Sequence, residues 1–320
     1  MSGSEGNRTP RSKIAPSSTV PLPGRGSGWF ELAYAVTLDG RLACLDTNRD
    51  MLALGDEPSP KPMSTTGRLT SFDGEWRGNQ THFPLEFDYP AFDELPGGGW
   101  IVADARCRQG QDNARHLAED GTVLRHLCLG DAIEHLQCDD EGRIWCGYWD
   151  EGALINRAWG RGGPGMPASG LMRFDTDGTA LWSQGMARAG LPMVDCYALN
   201  VGRREIWSCY YTDFPLLRVD GSGHCQLWSN EISGVKAVAI DRHLGLLIGG
   251  YGEDSHRIAL FRRGGHEITI LATFDLDLGY SREKPARLFA ARHDMLHVVW
   301  NEQWHRLSVM DVALAAGVYY

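Results

Sequence analysis

The chain has 320 residues, a formal net charge of −10, 39 glycines and 11 tryptophans. Its lysine and arginine residues are scattered, which argues against general binding to nucleic acid or to anionic membranes, because both need clustered positive charge. The sequence contains neither 18 consecutive apolar residues nor an apolar secretion signal at its start. We therefore expect a cytoplasmic protein whose eight cysteines are reduced thiols.

The N-terminal residues differ in composition from the rest of the chain. Residues 1–27 are rich in Ser, Pro, Gly and Arg and show no periodicity, which predicts a disordered leader before a domain at 28–320. Within the leader, residues 18–22 are a candidate edge strand. A first strand pair is expected at 29–45 around the turn Asp39-Gly40, because Asp-Gly between apolar runs is a strong hairpin signal.

One unit then recurs along the chain: an apolar strand, a Gly- or Asp-containing turn, and a second strand of apolar and aromatic residues. Its copies lie at residues 92–103, 133–147, 196–209, 237–249 and 288–299. Further hairpins follow these copies, and Trp145 and Trp182 in one repeat match Trp207 and Trp228 in the next. Repetition at about 40–60 residues predicts an all-β propeller of four-stranded blades. We count six blades, or seven if residues 46–90 contain a further one.

The last blade needs a fourth strand to close the ring. Residues 304–309 form its third strand, and the outer strand is either residues 317–320 or part of the leader. Pairing of the two chain ends would remove an exposed sheet edge.

The blades resemble those of known propellers. Asp-Glu-Gly-Arg-Ile-Trp-Cys-Gly at 140–147 and Gly-Leu-Met-Arg-Phe-Asp-Thr-Asp-Gly at 170–178 are similar to the NHL-type and two-component-regulator repeats. Gluconolactonase and streptogramin-lyase propellers have similar blades. The resemblance covers roughly residues 28–312. It implies the propeller fold and, for the lactonase and lyase families, metal-assisted chemistry.

The repeat also predicts where polar side chains meet. In a four-stranded blade, the loop entering the first strand and the loop leaving the second strand lie on one face of the disk. On that face we expect a ligand site formed by Asp104, Glu134, Asp150, Glu151, Asp195, Tyr210, Asp213, Glu253, Arg287 and Glu302. Further aromatic residues are expected beside them, namely Tyr148, Trp149, Tyr211, Tyr251, Trp300 and Trp304.

Two kinds of ligand suit such a face. A cationic or polyhydroxylated small molecule, or a protein partner, would contact carboxylates and stack on aromatic rings. Ca²⁺ or another divalent cation would instead take oxygen ligands. The candidate metal ligands are Asp104, Asp150, Asp195, Asp213, Glu253 and Glu302. A structural alternative applies to each acid taken singly, because loop aspartates commonly cap turns.

The sequence therefore favours a soluble, monomeric binding module for a small molecule or a protein, with a metal-dependent hydrolase or lyase as the alternative. Residues 150–169 are the longest insertion after a second strand and are expected to line the rim of the site. His305 with Glu302, and His256 with Glu253, are candidate acid–base pairs. No phosphate-loop, zinc-site or serine-triad spacing occurs.

Overall fold

The computed structural model describes residues 11–50, 65–75, 77–154, 169–183, 193–279 and 286–319. Its strands form six sheets, which are the six blades of a β-propeller. The first strands of successive blades contact one another around a central channel, and the sixth contacts the first. The predicted all-β propeller with six blades is confirmed.

The first half of the chain forms three blades. The elements in chain order are β1 (Ser12–Ile14) and β2 (Ser18–Pro21); β3 (Phe30–Val36), β4 (Leu42–Thr47), β5 (Thr65–Phe72) and β6 (Thr81–Leu85) in blade 1; β7 (Pro90–Glu94), β8 (Trp100–Asp104), β9 (Ala114–Leu117) and β10 (Val123–Leu127) in blade 2; and β11 (Ile133–Cys138), β12 (Ile144–Tyr148), the helix α1 (Asp150–Leu154), β13 (Leu171–Phe174) and β14 (Ala180–Ser183) in blade 3.

The second half forms the other three blades. These contain β15 (Asp195–Val201), β16 (Glu205–Tyr211), β17 (Leu216–Asp220) and β18 (Cys225–Trp228) in blade 4; β19 (Val235–Asp241), β20 (Leu244–Gly249), β21 (Arg257–Arg263) and β22 (Ile268–Leu276) in blade 5; and β23 (Leu288–Arg292), β24 (Met295–Trp300) and β25 (Gln303–Ser308) in blade 6, followed by the helix α2 (Val309–Ala315).

The N-terminal segment completes the ring. β2 pairs antiparallel with β25, with Ser18 opposite Arg306, and supplies the fourth strand of blade 6. β1 pairs in parallel with β22 and adds a fifth strand to blade 5. Residues 12–21 thus differ from the expected disordered leader, and the closing strand is the N-terminal candidate rather than residues 317–320. Pairing to two sheet edges satisfies backbone groups, which the composition of the segment does not reveal.

The apolar core is divided among the contacts between blades. Between blades 2 and 3, for example, Ile101, Leu129, Ile144 and Phe174 belong to one buried cluster. Sheets that pack face to face bury both surfaces of their inner strands, so these strands lack a clear apolar–polar alternation.

The tryptophans that match between repeats form equivalent pairs. The ring centroids of Trp145 and Trp182 are 5.5 Å apart in blade 3, and those of Trp207 and Trp228 are 5.6 Å apart in blade 4. The repeated positions therefore mark a repeated packing contact between the second and fourth strands of a blade.

Buried polar groups join the first strands of different blades. Asp93 of β7 and Arg292 of β23 form a 3.2 Å ion pair whose side chains are 0% exposed, although blade 1 separates their two blades. Asp93 accepts a 2.7 Å hydrogen bond from the backbone nitrogen of Cys138 in blade 3. Asn200 of β15 likewise donates to main-chain oxygens of blades 5 and 6. These bonds cross the channel near the ends of the first strands.

The Ala-rich tail forms α2, which begins with a capping box between Ser308 and Asp311. Val309, Val312 and Ala313 of this helix are buried against apolar residues of blades 5 and 6. Within the described ranges, no helix has the length and apolar character needed to cross a membrane.

Candidate functional site

Strand register shows which loops share a face. Pro90 at the start of β7 lies opposite Asp104 at the end of β8, and Asp195 at the start of β15 lies opposite Tyr211 at the end of β16. The loops that enter the first strands therefore lie beside those that leave the second strands. We call this side of the disk the upper face.

Four of the six first strands carry a β-bulge at the upper face. In each, one residue is skipped in the pairing with the second strand: Leu32, Glu134, Tyr197 and Lys236. A bulge bends its strand and redirects a side chain, and bulges are common beside functional sites. Glu134 and Tyr197 consequently depart from the regular alternation of their strands.

Three carboxylates come together over blades 3 and 4: Glu134, Asp150 and Asp195. Glu134 and Asp150 are exposed, whereas Asp195 is half-buried. Burial, reinforced by the negative charges of Glu134 and Asp150, raises the pKa of Asp195 to about 6. Within the described ranges no cationic side chain forms an ion pair with any of these three residues. Among the described residues, the negative charge of this acidic cluster is therefore uncompensated.

Beside the acidic cluster lies an aromatic cluster of Tyr197, Tyr211, Phe214 and Tyr251. Ring centroids lie 5.1 Å apart for Tyr197 and Phe214, and 6.2 Å apart for Phe214 and Tyr251, with edge-to-face geometry. The Tyr251 hydroxyl donates a 2.8 Å hydrogen bond to that of Tyr197. Tyr211 and Tyr251 are 45% and 56% exposed, so the cluster presents aromatic surface to solvent.

The two clusters adjoin each other. The hydrogen bond from Tyr251, burial and the negative charges of Asp195 and Asp150 together raise the pKa of Tyr197. Tyr197 thus links the aromatic rings to the carboxylates.

A cleft of about 580 Å³ extends from Glu134 toward blade 1. Its walls include Leu32, Tyr89, Arg106 and Trp149, and the guanidinium carbon of Arg106 lies 5.5 Å from the centre of the Trp149 ring. The bulged residues Leu32 and Glu134 therefore both face this cleft.

Arg106 neutralises one of the predicted acids. Its guanidinium forms ion pairs with Glu151 at 2.5 Å and with Asp131 at 3.2 Å. Glu151 is adjacent to Asp150 in sequence, yet it differs from Asp150 in having this partner.

The predicted residues of blade 6 lie in a different electrostatic setting. Arg287 pairs with Glu31 at 3.1 Å, and Glu302 pairs with Arg25 at 3.2 Å. Arg25 lies at the end of the segment that closes the ring, and it also contacts Glu31. Acids over blades 1 and 6 are thus compensated by arginine.

Three further predicted acids stand apart from the acidic cluster. Asp104 accepts hydrogen bonds from the backbone nitrogens of Arg106 (3.2 Å) and Asp88 (3.4 Å), so the turn-capping alternative describes it. Asp213 and Glu253 are exposed on the loops that follow β16 and β20.

Three aromatic residues expected on the upper face lie in the core instead. Tyr148, Tyr210 and Trp304 are 0% exposed. All three belong to strands that neighbouring blades cover on both sides, so no side-chain direction there leads to solvent. Tyr210, a predicted ligand contact, packs in the same buried cluster as Trp145.

The candidate metal ligands do not converge. Across the described part of the chain, no three His, Cys, Asp or Glu side chains are placed to hold one metal ion. His305 is buried, with its Nδ1 2.9 Å from the Thr19 hydroxyl, rather than paired with Glu302. Residues 155–168 of the expected rim insertion lie outside the described residues.

Tyr197, Phe214 and Arg106 were not among the predicted site residues. Phe214 follows directly after Asp213, so its position after a second strand was a usable signal. Tyr197 lies within a first strand, and nothing in its local sequence marks the bulge that redirects it. Arg106 is separated by 45 residues from Glu151, so their contact has no local signature.

Comparison with known proteins identifies the fold. The model of the YxzG family matches residues 172–269, which is less than half of the chain. A streptogramin B lyase is 10% identical, with 90% of this chain and 96% of that chain covered and a TM-score of 0.50. Hsv2 from Kluyveromyces lactis is also 10% identical, with 91% of this chain and 76% of that chain covered and a TM-score of 0.50. No curated protein matches.

Virginiamycin B lyase from Staphylococcus aureus is similar as well, at 10% identity, with coverage of 91% of this chain and 98% of that chain and a TM-score of 0.49. At such identities, likeness shows the fold alone. The expected resemblance to streptogramin-lyase propellers is confirmed as a resemblance of fold.

Proposed function

We propose that the protein is a binding module whose upper face takes a positively charged ligand over blades 3 to 5. The ligand is a small organic cation or a cationic side chain of a protein partner. The observation that carries the proposal is the charge of Glu134, Asp150 and Asp195, which no described cationic side chain pairs with, beside the exposed rings of Tyr211 and Tyr251.

The arrangement fits an organic cation better than a metal ion. The three carboxylates are close enough for Glu134 and Asp150 to raise the pKa of Asp195, but they do not form a set of ligands for one ion. An extended cation can contact separated carboxylates and also lie against aromatic rings, which attract positive charge. A divalent ion gains little from aromatic rings and needs several oxygens at about 2.0–2.6 Å.

The hydrolase or lyase alternative has no specific observation in its favour among the described residues. A shared fold does not transfer an activity, because function depends on the residues of the site.

Calorimetric titration of the full-length protein with tetramethylammonium and spermidine tests the proposal. tert-Butanol, a neutral compound similar in shape to tetramethylammonium, is the reference, and ionic strength is held constant. At pH 7.5 we expect the cations to bind at least about tenfold more tightly than tert-butanol, because desolvated cation–π contacts and nearby carboxylates both favour charge.

The variant Asp195→Asn should weaken cation binding, whereas Glu253→Gln, which removes an exposed acid outside the acidic cluster, should not. Equal binding of cations and tert-butanol, or equal effects of the two substitutions, would contradict the proposal. Binding of the cations should also weaken as the pH falls through about 6, because Asp195 then takes up a proton.

A further inference from the structure

A second cavity lies at the mouth of the central channel on the lower face of the disk, opposite the upper face. It has a volume of about 730 Å³ and is formed by the hairpin turns between the first and second strands of blades 1, 4 and 6, together with one residue of β17. Two blades separate blade 1 from blade 4 in either direction around the ring, so the cavity spans the channel. Pockets of about 300–1,000 Å³ commonly take small organic molecules.

One histidine holds the three turns together. Nε2 of His293 in blade 6 donates a 2.6 Å hydrogen bond to the carbonyl oxygen of Leu38 in blade 1. The backbone nitrogen of His293 donates to the side chain of Asn200 in blade 4 at 2.9 Å, and its carbonyl oxygen accepts from the same side chain at 2.7 Å. The cavity is therefore preformed, which lowers the entropic cost of binding a ligand.

Blade 4 supplies a wall of arginines. Arg203 and Arg204 are adjacent and exposed in the turn after β15, and Arg218 of β17 lines the same cavity. Arg218 pairs with Glu205, which also accepts a 2.9 Å hydrogen bond from the Trp207 indole. Within the described ranges, the guanidinium groups of Arg203 and Arg204 form neither an ion pair nor a hydrogen bond. Both are thus available to a ligand.

The acids of the cavity offset only part of this positive charge. Asp39 of blade 1 pairs with Arg41 at 2.8 Å and accepts a 2.5 Å hydrogen bond from the Thr37 hydroxyl. Asp294 of blade 6 is the one lining acid that forms no ion pair with a described residue. Two unpaired arginines therefore face one unpaired acid, and the excess charge is positive.

The electrostatic potential at His293 agrees with this charge balance. Burial lowers the pKa of His293, and the positive charges of Arg292 and Arg203 lower it further. The charge of Asp294 acts in the opposite direction but contributes less than either arginine, although Asp294 is the next residue in the chain. An anion that enters the cavity therefore meets a favourable potential.

We propose that this cavity binds a small molecule through an oxyanion, a carboxylate or a phosphate group, with Arg203 and Arg204 as its main contacts. A guanidinium presents paired N–H donors that match two oxygens of either group. The site lies on the opposite face of the disk from the one proposed for a cation, and it does not depend on that proposal.

Calorimetric titration of the full-length protein with succinate and with inorganic phosphate tests the proposal. Succinamide, the neutral diamide of succinate, is the reference, and ionic strength is held constant. At pH 7.5 we expect at least one of the anions to bind at least about tenfold more tightly than succinamide, because charge-assisted hydrogen bonds are the stronger ones. Binding of succinate alone identifies a carboxylate ligand, binding of phosphate alone identifies a phosphate ligand, and binding of both supports a site for either group. Absence of binding by both anions overturns the proposal.

Four variants test where the anion binds. Arg203→Gln and Arg204→Gln should each weaken binding by about three- to tenfold, the size of one charge-assisted contact that solvent partly screens. Arg108→Gln is the matched control, because Arg108 is an exposed arginine in the loop after β8 and its loss changes the net charge equally.

Asp294→Asn should have the opposite effect. It removes the one unpaired acid of the lining, so anion binding should tighten by about two- to fivefold. Circular dichroism checks that each variant is folded. Equal weakening by Arg203→Gln and Arg108→Gln, or weaker binding by a folded Asp294→Asn protein, overturns the proposal.

Discussion

Two sectors of the upper face look alike in sequence and differ in charge balance. Over blades 1 and 6, Asp46 is 2% exposed and lies within 4 Å of the guanidinium groups of Arg25, Arg68 and Arg77. Over blades 3 and 4, Asp195 is half-buried and has no cationic partner within the described ranges. A count of carboxylates on the face therefore says little about function. What distinguishes the sector over blades 3 and 4 is a half-buried carboxylate, Asp195, whose pKa is raised to about 6 by burial and by neighbouring negative charge.

The largest expected effect is a loss of stability in the sector over blades 1 and 6, where the acids are paired with arginines. Asp46→Ala removes the 2.6 Å partner of Arg68, whose side chain is 5% exposed, and leaves a buried guanidinium without its carboxylate. We expect the free energy of unfolding to fall by about 3–5 kcal/mol, as when other buried ion pairs lose one member. Urea unfolding measures this change.

Arg287→Ala is the matched control. It removes a 59% exposed arginine from its pair with Glu31, which should cost less than about 1 kcal/mol because solvent screens the pair. Similar losses for the two variants would refute the distinction between a buried network and an exposed pair.

The second prediction concerns cation binding in the sector over blades 3 to 5. Tyr251→Ala removes a ring that is 56% exposed and hydrogen-bonded to Tyr197. Binding of tetramethylammonium should weaken by about three- to tenfold, which is the size of one partly exposed cation–π contact. Tyr89→Ala serves as the control in calorimetry, because Tyr89 is 68% exposed and lies outside the aromatic cluster. If Tyr89→Ala weakens binding as much, the aromatic cluster is not the contact surface.

The smallest effect is a gain in stability from Asp195→Asn. The folded-state pKa of Asp195, about 6, lies above its ordinary value of 3.8. The protonated form is favoured by folding, so this contribution to stability is fully present below pH 3.8 and is lost as the pH rises through 6. At pH 7.5 the charge opposes folding, and its removal should add about 1 kcal/mol after allowance for solvent screening.

Urea unfolding as a function of pH measures the effect of Asp195→Asn. The gain should vanish below about pH 4, where both proteins are uncharged at this position. A loss of stability at pH 7.5 would show that the Asp195 carboxylate has a stabilising partner, and the two sectors would then not differ as described.

The fold was predictable because its signals are local. Asp-Gly turns, apolar strands and the matching Trp145 and Trp207 recur in the same order in successive repeats, and each unit forms its hairpin from neighbouring residues. The same repeat placed Glu134, Asp150 and Asp195 on one face, since that position follows from their place in the blade.

The charge pairing of the acids and the positions of several aromatic side chains were decided by tertiary structure alone. Arg25 compensates Glu31 because β2 pairs with β25 across the whole chain, although composition assigns this segment to a disordered leader. Tyr210 is buried because neighbouring blades cover its strand, and Tyr197 reaches the upper face because of a bulge. Each of these outcomes depends on contacts between residues far apart in sequence, which periodicity and turn chemistry do not encode.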